Sequence, residues 1–281
     1  MQNNERNSIL CPNCRKLISR DEPSCPYCGL KHPGSRWKSN FWTGGGMSAD
    51  QFIKTVIYVN VGMFVLSILI SPRSAGLSLN PFEFLSPGNG SLRLLGETGV
   101  IPIDHYGRYW TLLTASYLHG SVMHILFNMI AFSQLGPLIF QEFGGYRTFA
   151  IYTLSGVGGY VASYFAGIPL TLGASASVCG LLGAAMYYGK SRGGRFGQMV
   201  YSQVSGWVVG LILFGLFFPG INNWAHGGGL VFGALTAFLM GYNERSPENF
   251  AHKAIAGVCL IATIAALVRG AGGALLLLLL S

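Results

Sequence analysis

Apolar positions in this chain run in long blocks; they do not alternate with polar ones. After a polar, basic, cysteine-bearing stretch of some fifty residues, apolar segments run roughly from 54 to 71, 112 to 140, 146 to 167, 175 to 189, 200 to 218, 224 to 241 and 254 to 280. Each is near the roughly 20 residues that a helix needs to cross hydrocarbon, and the fourth is short enough to begin below the surface. Seven membrane helices are expected. Arg269 interrupts the last before its leucine-rich end, so a shorter span with an apolar tail is the other reading of that segment. No short apolar stretch with a cleavage site opens the chain, and a removable signal peptide is not expected.

Composition agrees with the pattern. Charged residues make up 10% and hydrophobic ones 51%, where a soluble domain carries about 25% charge; mean hydropathy is +0.44. This is the profile of an all-α polytopic membrane protein. Lysines and arginines set its expected orientation: eight precede or include Lys54, one is Arg147, three are Lys190, Arg192 and Arg195, and two are Arg245 and Lys253, against Arg73, Arg93, Arg108 and Arg269 on the other side. That bias places the N-terminus in the cytoplasm. The net charge of +8 is then a topology signal spread over several loops, and nucleic acid is not an expected partner.

Within the spans, two groups stand out chemically. Ser175 lies in Gly173-Ala174-Ser175-Ala176 and His226 in Ala225-His226-Gly227-Gly228-Gly229, each at the mouth of an apolar segment on the same expected outer side. A hydroxyl and an imidazole at membrane depth are costly unless they serve each other or line a wet cavity, so the pair points to serine-protease chemistry inside the membrane. His124 and Asn128, at i and i+4, share one helix face that must look into the bundle, and His119 precedes them. A lone histidine there would be a helix-helix hydrogen-bond partner; two donors beside a serine and a histidine suit an oxyanion site. Ala176-x-x-x-Gly180 and Gly229-x-x-x-Gly233 are small faces that let the two helices approach. Cys179 and Cys259, in apolar spans, read as packing residues.

The N-terminal stretch has a separate logic. Cys11-Pro12-Asn13-Cys14 and Cys25-Pro26-Tyr27-Cys28 are two C-x-x-C knuckles, and four thiolates so paired suit one tetrahedral structural zinc. Disulfides are the alternative, disfavoured in a reducing cytoplasm. Arg36-Trp37-Lys38 and Phe41-Trp42, followed by Gly44-Gly45-Gly46, read either as an interfacial anchor with a hinge or as a plain linker.

Taken together, the membrane residues resemble the rhomboid intramembrane serine proteases from roughly 54 to 245. The resemblance rests on Trp110-Thr111-Leu112-Leu113-Thr114 through His119, on H-x-x-x-N at His124 and Asn128, on Gly136, on Gly173-x-Ser175, on Gly180-Leu181-Leu182-Gly183, and on A-H-x-x-G-x-x-x-G from Ala225 to Gly233. It implies a six-helix catalytic membrane domain at 54–245; the cysteine knuckles, the linker residues and the last apolar block add a zinc-ribbon-like module at 1–35, a linker at 36–53 and a seventh C-terminal helix at 246–281. It also implies a Ser175–His226 dyad without an acidic third member and an oxyanion site of His124, Asn128 and the Ser175 backbone N–H. His119, Gly173, Gly229 and Gly233 would be structural, residues 74 to 108 the large outer loop, and the fifth helix with Pro219 to Trp224 the lateral gate and cap. Transmembrane proteins would be the substrates, no cofactor would serve catalysis, and a cytosolic partner would meet the zinc module. The expected location is a bacterial inner membrane, with the active site opening to the extracytoplasmic side. Three positions depart from the family pattern: Ala176 for a glycine, Thr111 for an arginine, and Cys179 for an aromatic residue. A catalytically impaired relative that binds transmembrane helices is the rival reading. A transporter would want paired charges or an inverted repeat, and a membrane metalloprotease an H-E-x-x-H motif; neither is found.

Overall fold

A computed structural model describes residues 8–11, 16–27, 33–34, 47–70, 84–218 and 220–280, with the side chains of 277–280 excepted. The chain divides into two compact units, residues 1–52 and 53–281. In the first, β1 (Ser8–Leu10) pairs antiparallel with β2 (Leu17–Ser19), Ile9 opposite Ile18. Cys11 and Cys25 are buried beside Ile18, and the Cys11 N–H donates to the Lys16 carbonyl at 2.9 Å. Cys14, Cys28, Trp37, Trp42 and Gly44 to Gly46 lie outside the described residues.

The second unit is helical, its first helix starting four residues before the division. Its long helices are α1 (Ala49–Ile70), α4 (Val122–Phe143), α5 (Gly145–Phe165), α6 (Ser175–Arg192), α7 (Gly194–Phe217), α8 (Asn223–Met240) and α9 (Phe250–Leu280); two short ones, α2 (Asn89–Leu95) and α3 (Thr111–Thr114), lie between α1 and α4. Local chemistry sets several starts. Ser48 and Gln51 exchange reciprocal side-chain to backbone bonds at the head of α1, satisfying two N–H groups that the helix leaves open. Ser121 accepts the His124 N–H, and Asn222 the Ala225 N–H, as caps of α4 and α8.

Among the described residues, α1, α4, α7 and α9 are long and apolar enough to cross a membrane. Of the other three long helices, α5 and α6 are mostly buried, whereas α8 packs one glycine-bearing face on them and leaves Val231, Leu235, Phe238 and Leu239 exposed. Twelve of the eighteen residues of α6 are buried, which makes it the central helix, packed against α4, α5, α7 and α8. Glycine permits that packing: a Cβ at Gly229 would overlap the Ala176 carbonyl, and one at Gly233 the Gly180 carbonyl. The small faces read from the sequence on α6 and α8 therefore do meet. By contrast α7 leaves Val209, Ile212, Leu213, Phe214, Leu216 and Phe217 exposed, the dress of a helix that meets lipid.

Three sequence expectations need correction. The second span does not start at 112: residues 111 to 117 form α3 and a 3-10 turn, Leu118 is extended, and the long helix begins only at Val122 after the Ser121 cap. Apolar composition continues across this stretch, so hydropathy could not see the break. Arg269 does not interrupt α9, which runs unbroken to Leu280. Arg147, counted as a loop cation, is fully buried.

Candidate active site

Three helices begin at the same end of the bundle, and each brings one polar group. Ser175 is the first residue of α6, His124 lies in the first turn of α4, and His226 in the first turn of α8. All three side chains are partly exposed, while Asn128, one turn below His124, is buried at 7%. The first N–H groups of a helix have no partner within it and carry the positive end of its dipole, so the Ser175 N–H stands where an anion would be stabilised.

Gly173 organises this space. Its φ of +125° is one that L side chains avoid, and a Cβ there would lie 2.6 Å from His124 Nε2 and 3.6 Å from Ser175 Oγ. The imidazole and the hydroxyl thus border one gap, which glycine leaves open. The loop is pinned on several sides. The Gly173 N–H donates to the Ala115 carbonyl at 2.9 Å, its carbonyl accepts the Tyr160 hydroxyl, and the Ala174 N–H reaches His119 Nε2 at 3.4 Å. His119 is fully buried and meets the His124 ring edge-on at 5.0 Å. Because His124 Nδ1 accepts the Gly120 N–H at 3.4 Å, the neutral ring carries its proton on Nε2, the atom facing the gap. Asn128 donates one amide hydrogen to the His124 carbonyl at 2.9 Å and keeps the second.

His226 is placed by the α8 cap. The Asn222 amide that receives the Ala225 N–H also donates to Ser163 Oγ at 2.6 Å and Thr171 Oγ1 at 2.9 Å, tying the head of α8 to the loop that leads to Ser175. Ala225, just before His226, shares a buried cluster with Ala176, just after Ser175. His226 Nδ1 is buried without a hydrogen-bond partner, and among the described residues no carboxylate bonds to it. No hydrogen bond joins Ser175 Oγ to His226. In a substrate-free site such bonds are often long.

The residues at which the sequence departs from the family pattern have physical settings here. Ala176 is fully buried, and a Cβ at Gly159 of α5 would lie 3.0 Å from its methyl, so the extra carbon beside the serine fills space that Gly159 vacates. Thr111, fully buried, bonds the Arg108 carbonyl at 2.6 Å and Thr98 Oγ1 at 3.0 Å. Cys179 and Cys259 are core residues, at 1% and 6% exposure. Sequence reasoning missed Tyr160, Thr98 and Thr171, which act through long-range contacts without a local signature. Asn222 was findable, since an asparagine just before an apolar helix is a capping signal. Among the described residues, no three His, Cys, Asp or Glu side chains cluster as a metal site; Cys14 and Cys28 are not among those residues.

Comparison with known proteins places these residues in context. A Rhomboid domain model matches residues 106–243. RHOMBOID-like protein 7 of Arabidopsis thaliana is 30% identical over 228 residues, 74% of this chain and 72% of its own length. RHOMBOID-like protein 4 of the same plant is 29% identical over 204 residues, 67% of this chain and 52% of its own. Rhomboid protease GluP of Bacillus subtilis (strain 168) is 30% identical over 156 residues, 56% of this chain and 30% of its own. The aligned region thus spans about half of one plant relative and under a third of the bacterial protein. Relatives of both plant and bacterial origin mean that the similarity does not single out a bacterial membrane.

Proposed function

This chain belongs to the rhomboid family and is an integral, multi-pass membrane protein, and from that premise we propose that it is a serine endopeptidase cutting peptide bonds in or near the transmembrane segments of other membrane proteins. The observation that carries the reading is the gap beside Gly173, bordered by Ser175 Oγ and the Nε2 of His124 at the head of α6. In the proposed mechanism Ser175 Oγ attacks the scissile carbonyl while His226 takes its proton and passes it to the leaving amine. The Ser175 N–H, His124 Nε2–H and the second Asn128 amide hydrogen receive the oxyanion. Water then releases the acyl group through the same imidazole. A relative described as a rhomboid protease, GluP, adds support.

The test is cleavage of a panel of single-span substrates by purified protein in lipid, together with labelling by a fluorophosphonate. Ser175→Ala and His226→Ala are expected to abolish cleavage with folding intact, and Ser175→Ala also to abolish labelling. Wild-type protein that binds transmembrane helices without cutting or labelling would establish the impaired-relative reading instead.

The arrangement of basic residues supports a cytoplasmic N-terminus, with the site opening on the opposite side. For the N-terminal unit, Cys11, Cys14, Cys25 and Cys28 would hold one structural zinc. Burial of Cys11 and Cys25 around Ile18 suits that donor set, and a cytosolic partner would dock on the module so formed. Metal analysis should find one zinc per chain, lost in Cys11→Ser; protein purified without chelators that carries no zinc would remove the assignment.

A further inference from the structure

Helix α9 lies outside the segment matched by the Rhomboid domain model, which ends at residue 243. It nevertheless packs on α2, α3 and α5, and it comes close to the end of α2 at Gly270. A Cβ there would lie 2.5 Å from the Leu95 carbonyl oxygen and 3.2 Å from Cζ3 of Trp110. Leu95 is the fully buried last residue of α2. Next to Gly270, the Arg269 guanidinium stands over the Trp110 ring at 5.8 Å. The arginine that looked like a defect in a membrane span therefore rests on a tryptophan of the outer loop.

From that contact a continuous set of short bonds runs to the nucleophile. Gly96, at φ +109°, follows Leu95; Trp110 and Thr114 pack on it, and the Thr114 hydroxyl donates to its carbonyl at 2.8 Å. Two residues on, Thr98 pairs with Thr171 through both backbone bonds, 3.0 and 2.7 Å. The Val100 and Ile101 N–H groups bond the Ile168 and Pro169 carbonyls at 3.0 and 3.2 Å. Residues 168 to 171 are the approach to Gly173 and Ser175. Their position is thus set by residues 98 to 101, which follow directly from the Leu95–Gly96 corner that Gly270 touches.

Building on the protease reading above, we propose that α9 is a positioning element for the nucleophile, acting through Gly270 and, more weakly, Arg269. Neither residue touches substrate. A methyl at Gly270 must push the Leu95–Gly96 corner away, because a backbone carbonyl cannot swing aside as a side-chain tip could. The shift passes through the Thr98–Thr171 pair to the serine loop. Gly272, two residues along the same helix, faces open space and provides a matched control with the same change in helix propensity.

The experiment uses the full chain purified in detergent and compares the rate at which fluorophosphonate labels Ser175, with kcat and KM for a single-span substrate. Gly270→Ala is expected to slow labelling by about tenfold or more, with kcat falling in proportion and KM unchanged; Gly272→Ala is expected to behave as wild type. Arg269→Gln, at an exposed position, should slow labelling about two- to fivefold, and it carries the test if Gly270→Ala does not fold. Wild-type rates in both Gly270→Ala and Arg269→Gln, or equal loss in Gly270→Ala and Gly272→Ala, would overturn the proposal. Failure of wild-type protein to label at Ser175 would instead strike the protease reading on which it rests.

Discussion

The two ends of the helical unit are held by different chemistry. Where α4, α6 and α8 stop, the fastening is charge-assisted and dense. The buried Arg147 guanidinium reaches the Phe143, Ser246 and Pro247 carbonyls at 3.0 to 3.3 Å, Asn243 Oδ1 at 3.2 Å and His252 Nε2 at 3.4 Å, while its backbone N–H donates to Glu248 Oε1 at 2.9 Å. Nearby the Tyr188 hydroxyl donates to Glu142 at 2.6 Å. Where the same three helices start, bonds run mostly between neutral groups, glycines set the spacing, and Ser175, His124 and His226 remain partly exposed. A site that must admit substrate and water cannot consume its own donors in structure. The opposite end can, and its bonds tie α4, α5, α6 and the segment after α8 together.

That contrast predicts a division of labour, which Arg147 tests most severely. Arg147→Met should destabilise the protein by about 3–5 kcal/mol, since it strands several buried acceptors at once. Molecules that remain folded should keep wild-type kcat. A variant with unchanged melting temperature and reduced kcat would mean that the two ends are not separable.

At the other end the expectation is reversed. His124→Ala should lower kcat about a hundredfold, with little change in KM or melting temperature, because in the proposed mechanism its Nε2–H meets charge only as the oxyanion forms. Asn128→Ala should act in the same direction with a smaller effect, since one of its amide hydrogens already serves the His124 carbonyl. If both variants raised KM alone, these side chains would be substrate contacts.

The smallest effect concerns pH. Glu97, between α2 and α3 beside Thr98, has its carboxyl raised from 4.5 to about 7, chiefly by burial, with the Arg93 charge opposing. The folded chain therefore holds a proton that the unfolded chain releases. The penalty for ionising Glu97 is absent below about 4.5, accumulates as pH rises, and is complete above about 7. Glu97→Gln should raise the melting temperature above neutral pH and leave it unchanged near pH 4.5. A shift of the same size at both pH values would show that ionisation is not the cause.

Much of this molecule was legible in its residues because membrane constraints are written locally. Each predicted apolar stretch contains one long helix, and Ala176, Gly180, Gly229 and Gly233 marked the contact of α6 with α8 before any coordinates. Ser175, His124 and His226 drew notice because polar groups are conspicuous against an apolar background, and all three lie in the first turns of their helices. What stayed hidden depends on pairs remote in sequence, such as Thr98 with Thr171 or Tyr160 with Gly173. Arg147 misled for a related reason: its charge is visible in the sequence, whereas two of the three carbonyls it bonds come from about a hundred residues further on.

The enclosure of α6 has a consequence for how the protein is made. A segment with so much serine, glycine and tyrosine on a helix that meets protein on most sides is a poor substrate for spontaneous partition into lipid. Its neighbour α8 emerges from the ribosome thirty residues later than the end of α6. During synthesis α6 must therefore wait in a sheltered setting, against α5 or inside the insertion machinery, until α8 arrives to cover it. The heads of α6 and α8, which carry Ser175 and His226, come together only when the bundle closes, so the proposed reactive pair would be assembled last.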